Sequence, residues 1–146
     1  THLGAETNSY RTMFSFSSTD VESHRDLMDV FADAVFHPLF RSEPKIFLQE
    51  AWHVAAHDPG DLSTYGIEGV VLSEARAHRS SPEWRLWRAI ERELFLGTPL
   101  AFDAAGVPTE IAGATFPEAV SFHEEFYRPA RTRFFFYGDD DEGERL

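Results

Sequence analysis

The chain contains no cysteine, which excludes a disulfide framework and a thiolate metal site; any metal would have to be held by His, Asp or Glu. Basic charge is scarce: twelve arginines and one lysine stand against 25 acidic residues, for a formal charge of −12. No basic stripe is therefore available to displace the counterions of a nucleic-acid backbone, and nucleic acid is not expected as a partner. No run approaches the roughly 18 apolar residues of a membrane span, and no leader pattern opens the chain, so a membrane partner is not expected either. GIEG and GAETN lack the strand–glycine–helix order and the lysine of a phosphate loop. No G-x-S-x-G frames a serine, so a Ser-His-Asp triad has no support.

What is present is a length of 146 residues, enough for one domain with a core, of which 42% are hydrophobic and 26% charged. Fourteen phenylalanines imply aromatic packing in that core. The acidic surplus serves solubility, or favours a positively charged ligand such as a basic peptide. Arginine in place of lysine fits a GC-rich bacterial source, for which the cytoplasm is the expected compartment; a eukaryotic source would imply an organelle matrix. Both ends, THLGAE without an initiating methionine and the acidic DDDEGERL, read as cuts from a longer chain. The DDDEGE run lacks EF-hand spacing and reads as a solvated segment.

Residues 9–16, SYRTMFSF, alternate: Tyr10, Thr12, Phe14 and Phe16 face one way, and Arg11, Met13 and Ser15 the other, as in a half-buried strand. Thr19-Asp20-Val21-Glu22 reads as a capping box for a helix with the stripe Leu27, Met28, Phe31, Ala34 and Val35, ended by Pro38. A second helix is predicted from about Glu43, with IFLQEAWHVAAH continuing as helix or turning into a strand near Trp52. HDPGD (57–61) is a turn. Residues 66–84 are predicted as a helix broken at SSP (80–82), and 84–95 as another. The stretch 97–114 has no period and reads as a long loop. Thr115-Phe116-Pro117-Glu118 is a second capping box, whose helix carries Phe116, Ala119, Val120, His123 and Tyr127 on one side. ARTRFFFYGD (130–139) reads as a strand buried on both faces. The fold class is α+β, with helices packed on one face of a mainly antiparallel sheet, part of which is missing.

Within 66–84 the helical period puts Val70, Val71, Glu74, Ala77 and His78 on one face. A carboxylate on such a stripe is costly to bury unless something pairs with it. Other candidate ligands are His53 with His57, Glu74 with His78, and His123 with Glu124 and Glu125. A zinc site needs three or four such groups together, and spacing alone gathers none of these sets. His123 on an apolar stripe is ordinarily a hydrogen-bonded core histidine.

The ordered series LGAET, SYRTMFSFSS, DLMDVFADAVFHPLF, FLQEAWH, GVVLSEARA and HEEFYRPARTRFFFYGDDD resembles the presequence-protease branch of the M16 (pitrilysin or insulinase-like) zinc metallopeptidases. The likeness runs in register across nearly the whole chain. It implies a zinc-dependent endopeptidase acting on short, unstructured peptides enclosed in a chamber. In that family two histidines and a general base lie in an H-x-x-E-H motif, and the third zinc ligand is a distant Glu. GVVLSE matches the segment carrying that Glu, so the resemblance implies Glu74 as a zinc ligand. LGAET matches the chamber's rim strand, implying that Leu3, Gly4 and Ala5 pair with substrate through their main chains.

The chain departs from the pattern in one decisive respect: H-x-x-E-H occurs nowhere in it. It is therefore expected to be a single partial catalytic domain, spanning 1–146 and lying downstream of that motif. It would hold no catalytic residue of its own and be inactive alone. Ile67 stands seven positions before Glu74, where other branches are often acidic, and Ser73 stands where the family tends to have Asn. The partners implied are peptide substrates and the rest of the M16 polypeptide, with a homo-oligomer through exposed sheet edges a further expectation. The alternative is a non-catalytic M16-like structural or binding subunit.

Overall fold

The computed structural model describes residues 2–139. Strand β1 (His2–Thr7) runs antiparallel to β2 (Thr12–Ser17), with Leu3 opposite Phe16 and Ala5 opposite Phe14. The connecting turn is closed by Asn8, whose side-chain oxygen accepts from the amides of Tyr10 and Arg11, both at 3.1 Å. The predicted strand forms, but its burial does not alternate as expected: Ser15 is half-buried like Phe16, while Tyr10 and Phe14 are exposed like Met13. Phe16 meets His24 and Phe31 of helix α1 (Val21–Phe36), and Thr12 Oγ1 lies 3.2 Å from the Tyr127 hydroxyl. Helix α1 is capped one residue later than its sequence implied, by Asp20, which accepts from the Ser23 amide at 2.8 Å.

Helix α2 (Pro44–Glu50) ends before Trp52, and β3 (His53–Ala56) then pairs antiparallel with β4 (Tyr65–Glu68). Residues 66–68, predicted as helix, thus complete a hairpin in which Ile67 faces Val54. The strand gives way to helix α3 (Val70–Ser80) at Gly69, which is pressed against the main chain of Ala51. A Cβ at Gly69 would lie 2.2 Å from the Ala51 carbonyl oxygen, so only glycine lets the strand turn there. Ser81 caps helix α4 (Pro82–Leu94), and the short helix α5 (Pro108–Ile111) lies within the predicted loop.

Helix α6 (Phe116–Phe126) starts with the predicted box. Glu118 Oε2 accepts from the Thr115 amide at 2.9 Å and the Thr115 hydroxyl accepts in turn from the Glu118 amide. Residues 130–139, predicted as a strand buried on both faces, form no strand: a 3-10 turn (Pro129–Arg131) opens the stretch, and Phe135 is 91% and Tyr137 95% exposed. An extended aromatic segment becomes a strand only where another backbone accepts its hydrogen bonds.

The α+β class and the antiparallel pairing are as predicted, the pairing being divided between two two-stranded hairpins. Leu72 and Ala75 are the only buried hydrophobic residues described. The accessible surface is 11,192 Å² for 16.6 kDa, where a folded monomer of that mass exposes about 7,600 Å². No described helix is long and apolar enough to cross a membrane.

Candidate functional site

Helix α3 buries Leu72 and Ala75, three residues apart, and continues that line to Arg79 one turn on. Val70, Val71, Glu74, Ala77 and His78 lie on exposed positions instead. The stripe read from the sequence as core-facing is therefore the outward one. A carboxylate there meets water and needs no buried partner. Among the described residues no hydrogen bond or ion pair engages the Glu74 side chain.

The helix under Glu74 is fixed at both ends. Its start is set by the Gly69–Ala51 approach and by Arg76, whose Nη1 donates to the Ile67 carbonyl at 3.0 Å. At its end Arg79 donates through Nη2 to Asp103 Oδ2 at 2.8 Å and to the Gly106 carbonyl at 3.3 Å, with its guanidinium 5.3 Å from the centre of the Trp84 ring. Asp103 Oδ1 also accepts from the Ala105 amide at 3.0 Å, so one carboxylate both shapes its own turn and binds the helix. Nothing in the sequence singled out Arg79 or Asp103, because residues 24 positions apart in a segment without period carry no pairing signal.

The histidines serve the fold. His123 is buried and its Nε2 lies 2.8 Å from the Val35 carbonyl, joining α6 to α1, with Tyr127 stacked on the ring at 4.9 Å. This is the core histidine expected from its apolar stripe, and Glu124 instead pairs with Arg41. His53 Nδ1 lies 3.0 Å from the Leu48 carbonyl, and His57 Nε2 lies 3.0 Å from Glu68 Oε1. These two do not form a helical i, i+4 pair because 53–56 is a strand. His78 lies against Trp84, their ring centres 6.4 Å apart. Among the described residues no three His, Asp or Glu side chains gather where a metal could sit. One exposed carboxylate does not by itself fit a zinc ion, which takes three or four ligands.

Leu3, Gly4 and Ala5 lie in β1, which pairs with β2 on one side only among the described residues. Gly4 stands opposite Ser15, with only 3.1 Å between a Cβ placed on it and the serine hydroxyl. The acidic tail singled out in the sequence lies, from residue 140, outside the described residues. Carboxylates with a lowered pKa all belong to turns and caps: Asp20, Asp61 and Glu118 are held down by hydrogen bonds from Ser23, Ser63 and Thr115.

No family model matches the chain. It is 36% identical over 146 residues, all of its length, to Presequence protease 1, chloroplastic/mitochondrial, of Arabidopsis thaliana, covering 13% of that protein. It is 34% identical over 146 residues to Protein HypA of Clostridium perfringens, covering 15%. Over an alignment of 146 residues it is 30% identical to the mitochondrial presequence protease of Emericella nidulans, covering 13%. The chain thus spans about one seventh of the length of these curated relatives. Over all or nearly all of its length, the chain is similar to one stretch of each of these proteins.

Proposed function

We propose that the chain is a segment of a zinc-dependent endopeptidase of the M16, insulinase-like type, from the N-terminal catalytic domain of the presequence-protease branch. Its role is to supply one zinc-ligating carboxylate, Glu74, and one edge strand, Leu3–Ala5, beside which a short unstructured peptide pairs. The observation that carries this reading is the setting of Glu74: exposed, engaged by no described side chain, and standing on a helix fixed at both ends. A carboxylate in that setting stands on a fixed stretch of backbone and is open to a metal whose other ligands come from elsewhere in the polypeptide. The open side of β1 supports the second role, since a strand bonded on one side presents alternate amides and carbonyls to an incoming peptide.

Alone, the segment is inactive, because a single carboxylate neither completes a metal site nor provides a base within reach of a scissile bond. The rest of the polypeptide brings the remaining ligands and the general base, and zinc, when bound, supplies an activated water. The parent acts in a soluble compartment, bacterial cytoplasm or organelle matrix.

The test is zinc content by elemental analysis after dialysis, for the 146-residue chain and for a longer chain that includes the preceding coding sequence, each beside Glu74→Ala. The expected result is little zinc in either short chain, one zinc in the longer chain, and its loss on Glu74→Ala. One zinc per short chain, or a longer chain that keeps its zinc without Glu74, would overturn the proposal. A longer chain that never binds zinc would favour a non-catalytic subunit.

A further inference from the structure

The turn between β1 and β2 decides which groups of β1 are free. The Asn8 amide donates to the Arg11 carbonyl at 2.9 Å, so these two residues form a hydrogen-bonded pair. Such pairs alternate along an antiparallel ladder, so Glu6 with Met13, Gly4 with Ser15 and His2 with Ser17 are bonded in turn. The main-chain groups of Leu3, Ala5 and Thr7 therefore point to the open side of β1. Their side chains share a face with Phe16 and Thr12, which is turned to Phe31 of α1 and to Tyr127. The opposite face carries His2, Gly4, Glu6, Met13 and Ser15. Glu6 is exposed there, and among the described residues its side chain makes no hydrogen bond or ion pair. Arg11, at the turn, lies over the Tyr10 ring instead, 5.9 Å from its centre.

We infer that Glu6 selects a basic residue, lysine or arginine, in an extended peptide that joins the open side of β1. The inference rests on the proposed pairing of peptide with this strand, and it fixes the chemistry of one position in that peptide. Because the main-chain bonds of Glu6 go to β2, an antiparallel peptide meets it in a pair without hydrogen bonds. Side chains stand closest in such pairs, with Cα atoms about 4.5 Å apart. A cation beside Glu6 gains an opposite charge at cross-strand distance, and an acidic residue there meets a like one. Gly4, next along the same face, presents neither side chain nor charge, so the peptide residue beside it is not chosen by charge. His2 stands four residues from Glu6, about 13 Å along the strand, too far to compete for the same side chain. The surplus of 25 acidic residues over thirteen basic ones draws a cationic peptide in preference to an anionic one.

Binding of fluorescent peptides to the longer polypeptide at low salt, with a chelator present so that they stay intact, tests this without recourse to Glu74. The probes are short peptides of serine and valine in which one lysine, or one glutamate, is moved along the sequence. At one position lysine is expected to bind about five- to tenfold tighter than glutamate, since an attraction replaces a repulsion. Glu6→Gln should remove that preference and Glu6→Lys invert it, with circular dichroism unchanged, because the side chain is exposed. Ala5→Pro deletes an outward amide rather than one bonded to β2, and should weaken every peptide alike. A preference that survives Glu6→Lys, or no preference at any position, would overturn the inference and leave Glu6 a guard against edge association. The pairing itself would still stand if Ala5→Pro weakened binding. Peptides that fail to bind, or that bind Ala5→Pro unchanged, would overturn both.

Discussion

Residues 97–114 and residues 133–138 both lie outside the long helices and the strands, yet main-chain carbonyls of the first stretch accept side-chain donors from elsewhere, while the main-chain groups of Arg133, Phe135 and Tyr137 in the second find no partner among the described residues. Side chains from four other segments reach the first. Arg88 donates to the Ala101 carbonyl, Ser9 to Phe102, Arg79 to Gly106 and Trp52 to Ala114, at distances between 2.8 and 3.3 Å. Its orphan carbonyls are thus satisfied without a ladder, which a buried or half-buried loop requires. The second stretch offers aromatic side chains and a strand-like backbone, and those need a second backbone. The difference lies in what each segment requires: donors that a few arginines and a tryptophan can deliver, against a whole strand.

The sharpest way to break the comparison is Arg79→Ala. It leaves Asp103, largely enclosed, without its cation, and should lower stability by about 2 kcal/mol in urea unfolding. Faster amide exchange should be confined to about 101–107, with no change at 133–138. Acid should act next. The carboxylates of Glu118, Asp20 and Asp61 have folded-state pKa values lowered by hydrogen bonds to Thr115, Ser23 and Ser63. Their stabilisation is fully present above the ordinary carboxylate range and is lost as pH falls through the lowered values. Denaturation midpoints should therefore drop below about pH 4, and exchange should rise at 115–118, where the fastened loop enters α6. The smallest effect belongs to Phe135→Asp, which should shift the unfolding free energy of the monomer by under about 0.5 kcal/mol, as an exposed position does. A larger loss would mean that the segment is packed after all.

Local signals in the sequence were legible where a side chain acts on its own neighbourhood. The capping box at Thr115, the break at Ser81-Pro82 and the strand through Phe14 and Phe16 all operate within a few residues. The orientation of α3 was not legible. Val70, Val71 and Ala77 made one apolar face, while Leu72 and Ala75 made a shorter one. Periodicity cannot choose between two faces when neither is continuous. Glu74 could be singled out as a candidate through a resemblance, but its exposure could not, nor could the Arg79–Asp103 bond that steadies it. Residues 133–138 carry strand propensity that their surroundings, within these residues, do not meet.

Helix α3 can also be seen as a short beam clamped at each end. Gly69 and Arg79 are ten residues apart, a rise of about 15 Å. A rotation about the axis would drive the first end into the Ala51 carbonyl and pull the second off Asp103. With twist and slide both blocked, the freedom left to the Glu74 carboxylate is that of its own three side-chain torsions. Any group that meets it has only those torsions to still, so little disorder is lost when it is engaged.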